Sequence, residues 1–196
     1  MAEGIAWEEK ARSSGLAIKQ ALEKSGKILA LYQGDRAGLV LLHMLKNYGG
    51  GRITVPVAGV QFLPLPGERL RFMDKLRRMW SLDIEVVRFP EKPGGGRYTG
   101  EEMTAEIDSV LLQNGASGAI SSSTDFFEKD ACLCERRGYT EFRPLCGFSD
   151  EDISAYIKRH GLPECSLDFD PAKVSERDKD SDNRQVANIL RQLGYL

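Results

Sequence analysis

The sequence predicts an α/β fold of three layers, a mainly parallel five-stranded sheet with helices on both faces. Three observations carry this reading. Short apolar runs of strand length alternate with amphipathic helical stretches from residue 7 to residue 160. The helical stretches are long enough to serve as crossover connections, which parallel neighbours require and which are expected to be right-handed. The 196 residues, 41% hydrophobic and 29% charged, suit one soluble domain that buries roughly 70% of its unfolded surface.

Trp7, Ala11, Ile18, Ala21 and Leu22 recur at helical spacing and form the first helix. The apolar run 27–32 is the first strand. It breaks at a polar turn, Gln33-Gly34-Asp35-Arg36-Ala37-Gly38, from which a second helix over 39–47 starts at once. Residues 52–60 make the second strand. A helix over 67–80 follows, with Leu70, Met73, Leu76 and Met79 on one face and Arg69, Arg71, Lys75, Arg77 and Arg78 on the others. The third strand is 83–89. Residues 99–113 are a helix with Met103, Ile107, Val110 and Leu111 inward, stopped by Asn114-Gly115. The fourth strand is 117–121. Asp125 and Glu128, at capping-box spacing, open a predicted helix over 125–137 that Gly138 closes. A fifth strand at 140–143 precedes a helix over 149–160, opened by Ser149 with Asp152. Residues 166–182 are polar and turn-rich, and 183–193 are a terminal helix. Residues 1–196 thus read as one domain, with a core over about 15–165 and an extension over 166–196.

Several places have the residue types of a binding site. A strand that breaks at a glycine-bearing turn and passes straight into a helix presents backbone N–H groups to an anion, so the turn at 33–38 is the first candidate. The loop 90–100 contains Gly94-Gly95-Gly96 and follows the third strand on the carboxyl edge, where open α/β sheets bind ligands. There Lys92 and Arg97 are a candidate lid over an anion, the alternative being a mobile linker. Ser121, Ser122 and Ser123 with Thr124 lie between the fourth strand and the predicted helix, and read equally as an anion site or as a helix cap.

Cys132, Cys134, Cys146 and Cys165 raise the question of a metal. On a helix, neighbours at i and i+2 point about 200° apart, so Cys132 and Cys134 do not share an ion there. The four are read as buried, reduced thiols, and no metal site is predicted. His43 inside an apolar helix and His160 in a last turn, where a cation suits the helix dipole, read as structural.

The net charge of −2 draws the chain neither to nucleic acid nor to an anionic membrane. RNA remains a candidate partner only through the arginines of 69–78, where Glu68 and Asp74 interleave and a solvated face is the ordinary reading. The acidic N-terminus lacks the apolar core of a signal peptide, and no run reaches the ~18 apolar residues of a membrane span. A cytoplasmic protein without a membrane partner is expected. Nothing in the sequence sets an oligomeric state.

Residues 27–45 resemble the strand, phosphate loop and helix of the PP-loop ATP-pyrophosphatase superfamily, which includes phosphoadenosine-phosphosulfate reductases, sulfurylase small subunits and diphthine-ammonia ligases. The family loop reads Ser-Gly-Gly-x-Asp-Ser; here one glycine and a basic residue remain, while Ala37 and Gly38 stand where the family has Asp and Ser. Asp35 replaces a glycine at the point of backbone approach, and its carboxylate repels a phosphate unless it turns away or holds a metal. Val57-Ala58-Gly59-Val60-Gln61-Phe62 is similar to the Asp-Thr-Gly-x-x-Phe of reductase-type members. Arg143-Pro144-Leu145, then Phe148-Ser149-Asp150-Glu151-Asp152-Ile153 and Tyr156-Ile157, is similar to the family's Arg/Asn-Pro-Leu, aromatic, Ser/Thr-Glu-Asp-Ile, Tyr-Ile segment. Residues 101–145 also resemble diphthine-ammonia ligases in layout.

The resemblance implies a Rossmann-like domain binding ATP or a related adenine nucleotide, with Mg²⁺ a candidate companion and no iron–sulfur cluster. Gln33, Gly34, Asp35, Arg36 and Gly38 would lie at the phosphates, and Gly59 with Phe62 would flank the adenosine. The implied chemistry is adenylylation of an acceptor with release of pyrophosphate, Arg36 neutralising phosphate charge with help from Lys92 or Arg97. The alternatives are a non-catalytic nucleotide sensor or scaffold with an eroded loop, and a sulfonucleotide reductase, which would need a reactive cysteine on a mobile tail.

Overall fold

Five consecutive apolar residues make β1 (Ile28–Tyr32) a strand buried on both faces, and the other elements are arranged about it. The computed structural model describes residues 6–32, 34–49, 56–61, 67–88, 99–123, 132–136 and 138–163. In chain order these hold α1 (Trp7–Lys24), β1, α2 (Arg36–Tyr48), β2 (Val57–Gln61), α3 (Gly67–Trp80), β3 (Ile84–Arg88) and α4 (Gly100–Gln113). There follow β4 (Gly118–Ile120), β5 (Leu133–Glu135), β6 (Thr140–Phe142) and α5 (Asp150–His160).

The sheet order is β3-β2-β1-β4-β6-β5, and every neighbouring pair is parallel except β5 with β6. β1 alternates between two cores. Ile28, Ala30 and Tyr32 pack with α1, α2, α3 and α5, whereas Leu29 and Leu31 meet Leu111 of α4 together with Ala116, Ala119 and Tyr139. The three-layer, mainly parallel architecture is the one the sequence predicts. Strand order runs outward from β1 to β3 and then reverses to β4 on the other side of β1. That reversal leaves a crevice at the carboxyl ends of β1 and β4, the topological switch point at which α/β sheets take ligands.

Two differences from expectation have local causes. α2 starts at Arg36, three residues before the apolar run, because Asp35 adopts an extended conformation and its Oδ1 accepts the Gly38 N–H at 2.8 Å. Within the predicted helix 125–137, residues 133–135 instead form β5, an antiparallel edge strand in register with β6. Gly138, at φ +97°, does not end a helix; it belongs to the turn in which the Arg136 N–H reaches the Tyr139 carbonyl at 2.9 Å. Strand pairing satisfies these backbone groups; the capping-box residues 125 and 128 lie outside the described residues. Among the described residues the sheet therefore has six strands. In α3, Met73 and Leu76 are buried as expected, but Met79 is exposed and Trp80 takes the core position. The segment 166–196, with its expected terminal helix, also lies outside the described residues.

α1 fastens the turn that follows β6. Ser14 Oγ donates to the Pro144 carbonyl, and Lys10 Nζ donates to the Gly147 carbonyl at 3.0 Å and to Asp152 Oδ2 at 2.6 Å. Asp152 also completes the predicted capping box of α5, accepting the Ser149 N–H at 2.9 Å. The α1–α2 contact depends on Gly15, where a Cβ would stand 1.8 Å from Cζ of Tyr48. Gly15→Ala is therefore expected to expel the Tyr48 ring and cost about 1–3 kcal/mol. Denaturant unfolding reads this, and an unchanged midpoint contradicts the packing described.

Candidate functional site

At the switch point a cavity of about 380 Å³ opens beside the first turn. Its walls come from four parts of the chain. Leu31 of β1 with Asp35 and Ala37 form one side, Thr104 and Ile107 of α4 another, Ser121, Ser122 and Ser123 after β4 a third, and Arg136, Tyr139, Glu141 and Arg143 of the β5–β6 hairpin the last.

Tyr139, Glu141 and Arg143 reach it together because side chains two apart along a strand share a face. Glu141 is a buried carboxylate that gathers three donors: Ser121 Oγ at 2.8 Å, Arg136 Nε at 3.0 Å and an Arg143 terminal nitrogen at 2.9 Å. Burial alone pushes its pKa up, but the hydrogen bonds from Arg143, Ser121 and Arg136 outweigh it and hold the carboxyl below its ordinary value. Glu141 is thus ionised and both guanidiniums are aligned. One carboxylate cannot use the donors of two guanidiniums, and Arg143 Nε is buried without a hydrogen-bond partner among the described residues. Tyr139 OH donates to Asp108 Oδ1 of α4 at 2.6 Å, tying the hairpin to the opposite wall.

The residues of the first turn are divided by the structure. Gly34, at φ +77°, makes the turn that a residue with a side chain resists. Asp35 lines the cavity, but its carboxylate is turned onto the N-terminus of α2 and occupies the Gly38 N–H that an anion would use. Gly38 is needed for that closure, because a Cβ there would lie 2.6 Å from Asp35 Oδ1 and from the Tyr32 ring. Arg36 is exposed and outside the cavity wall; it donates to Ser154 Oγ of α5 at 3.1 Å. Gly59 is buried in β2, paired with Tyr32 and Val86, and is not part of the wall. Ser121, Ser122 and Ser123 do line it. Gln33, Phe62, Lys92 and Arg97 lie outside the described residues.

The sequence reading missed Arg136, Tyr139 and Glu141 as site residues and used Arg143 only as part of a motif. The signal was the strict alternation Tyr139, Glu141, Arg143, which puts a carboxylate between an arginine and a tyrosine on one face of a strand.

The cysteine expectation needs correction: Cys132 is exposed and Cys134 half-buried because residues 133–135 are an edge strand, Cys146 in the turn after β6 is half-buried, and Cys165 lies outside the described residues. No group of three His, Cys, Asp or Glu side chains able to hold a metal occurs among the described residues. No described helix is long and apolar enough to cross a membrane.

Both histidines pack with aromatic neighbours, their rings 5.0 Å apart. His43 Nδ1 lies 3.0 Å from Tyr156 OH, and burial, then His160 and Lys46, lower His43 to about 4. Burial, then Arg159, lower His160 from its ordinary value, and Lys158 and Arg159 share the last turn of α5 with it.

The sequence matches no family model and no curated protein. Its likenesses are to solved structures at low identity, which share the fold. Phosphoadenylyl-sulfate reductase from Candida auris, solved as a phosphate complex, is 13% identical over 85% of this chain and 93% of that chain, with a TM-score of 0.57. FMN adenylyltransferase from Candida glabrata, solved with ATP, is 15% identical with a TM-score of 0.61, the match covering 85% of this chain and 61% of that one. The U34-tRNA thiolase NcsA from Methanococcus maripaludis, solved with a [4Fe-4S] cluster, is 12% identical over 98% of this chain and 80% of that chain, with a TM-score of 0.54. At these identities the likeness is one of fold: the chain shares the α/β architecture of these three neighbours.

Glu141→Gln keeps the shape of the cluster and removes the charge. It is expected to cost about 2–3 kcal/mol, less than the ~3–5 kcal/mol of a fully buried pair because the arginines remain partly wet. A carboxylate whose native pKa is depressed contributes stability above the ordinary carboxylate range and loses it as pH falls through the native value. Acid unfolding of the wild type should show that loss and the variant should lack it; identical acid profiles contradict the assignment.

Proposed function

We propose that the cavity at the carboxyl ends of β1 and β4 binds an adenine nucleotide, and that Arg143 and Arg136 take its anionic group. The observation that carries this is the Arg143 guanidinium. Glu141 fixes it, its Nε has no hydrogen-bond partner among the described residues, and it faces a cavity also lined by Ser122 and Ser123. Planar guanidinium donors suit phosphate or sulfate oxygens, and the buried setting strengthens each bond. The fold supports the ligand class: the Candida glabrata neighbour was solved with ATP and the Candida auris neighbour with phosphate. The base would lie on the β2 side, toward Gly59 and Phe62, the positions similar to the family's adenosine contacts.

The self-capped turn favours a binding or sensing role over cleavage between the α and β phosphates. With Asp35 on the N-terminus of α2, the phosphates are held by the β6 side of the crevice. The second reading is adenylyl transfer, in which an acceptor oxygen attacks the α phosphorus of ATP and pyrophosphate departs. It draws on the neighbour that is an adenylyltransferase. The third, sulfonucleotide reduction, draws on the reductase neighbour.

Titration calorimetry with ATP, AMP, adenylyl sulfate and adenosine tests the binding. Arg143→Met should weaken the three anionic ligands about 10- to 100-fold, the worth of a hydrogen bond to a charged group, and leave adenosine nearly unchanged. Arg36→Ala, outside the cavity, should change none of them much. Equal loss for adenosine, or no binding of any nucleotide at millimolar concentration, overturns the proposal. Pyrophosphate release from ATP by the wild type, with the adenylyl group recovered on an added acceptor or, where water is the acceptor, as AMP, would establish the transfer reading over the sensor.

A further inference from the structure

Two thiols meet on the outer edge of the sheet. Leu133 of β5 pairs with Phe142 of β6, so Cys132 stands across from Arg143, whose N–H reaches the Cys132 carbonyl at 2.8 Å. Immediately after Arg143 the chain turns back, the Cys146 N–H closing on the Arg143 carbonyl at 3.1 Å. The turn brings the Cys146 thiol within hydrogen-bonding reach of Cys132. Neither is in a disulfide; Cys132 is exposed and Cys146 half-buried. Burial first, and the bond to Cys132 second, push Cys146 up to about 11. An exposed thiol backed by a second, sheltered one has the arrangement of an attacking and a resolving cysteine.

We propose that Cys132 and Cys146 form a reversible dithiol–disulfide pair, with Cys132 attacking a low-molecular-weight disulfide such as oxidised glutathione and Cys146 closing the internal bond. In the first step the Cys132 thiolate bonds to one sulfur of the small disulfide. That S–S bond breaks and a small thiolate leaves, taking a proton from solvent. In the second, Cys146 gives its proton to solvent and its sulfur attacks that of Cys132, expelling the second small thiolate, which is protonated in turn. Two protein thiols are oxidised to one disulfide, and one small disulfide is reduced to two thiols. Closing the bond requires the two sulfurs to come from adjacent backbone, which the β5–β6 register and the turn after Arg143 provide. Cys134, two residues along β5, pairs with Glu141 and has no such turn beside it. The proposal concerns only the covalent state of the hairpin and is independent of the nucleotide reading.

The test is to incubate the native full chain in glutathione buffers of rising oxidised fraction, quench with an alkylating reagent and map the peptides. Two of the four thiols should be lost together, in a peptide linking Cys132 to Cys146 that dithiothreitol reverses. Cys146→Ser should stop at a glutathione adduct on Cys132, Cys132→Ser should form neither adduct nor link between these positions, and Cys134→Ser should behave as wild type. The wild-type map decides by itself even if a variant fails to fold. Both thiols still alkylated in the most oxidising buffer, a lasting adduct on wild-type Cys132 without closure, or linkage through Cys134 or Cys165 overturns the proposal.

Discussion

A buried carboxylate at position 141 is the constraint on which the candidate site depends. Removing Glu141 from water is unfavourable unless its lone pairs are met, and the chain meets them from three directions: Ser121 after β4, Arg136 after β5, and Arg143 after β6. Ser121 and Arg143 follow the carboxyl ends of β4 and β6, and Arg136, after the antiparallel β5, reaches in from the amino end of β6, so satisfying one group ties three chain segments together. Two guanidiniums answer one carboxylate, leaving the cluster with positive charge and surplus donors facing the cavity. The α1 clamp supports this from behind. Ser14 and Lys10 hold Pro144, Gly147 and Asp152, the residues that follow Arg143, so the arginine's backbone is fixed at both ends.

Much of the fold was legible because it rests on local periodicity. The helix at 67–80, the strand ending at Tyr32 and the capping box at Ser149 follow from spacing that each segment carries within itself. β5 was not legible, since 133–135 becomes a strand only by pairing with β6, and three residues carry too little pattern to outweigh an apparent helix start upstream. The same non-local pairing governs the cysteines. Placed on a helix, Cys132 and Cys134 diverge; placed on an edge strand, Cys132 is exposed and faces the turn that carries Cys146.

The site was half legible. The turn at 34–38 was found because a strand, a glycine turn and a helix are contiguous in sequence, and Ser121–Ser123 because they end a strand. The role of Arg36 was not readable from its place beside the turn. As the first residue of α2, its side chain projects according to the helix phase, toward Ser154 and away from the cavity. Glu141 sits 20 residues beyond Ser121, and only the parallel register of β4 with β6 brings the two together.

The cap on α2 determines where an anion is best received. A helix N-terminus offers a small number of unpaired N–H groups, and a carboxylate one turn away is tethered beside them. Any free phosphate that takes the Gly38 N–H must first displace Asp35, which then loses its hydrogen bond and stands as a like charge beside the newcomer. Arg143 presents the opposite situation: a fixed cation with a buried donor that nothing described here uses, so an anion arriving there gains a bond without breaking one. Within one cavity the electrostatic gradient therefore runs from the Asp35 wall to the Arg143 wall. A ligand with one charged end and one neutral, planar end would be oriented by that gradient before any contact with its base is made.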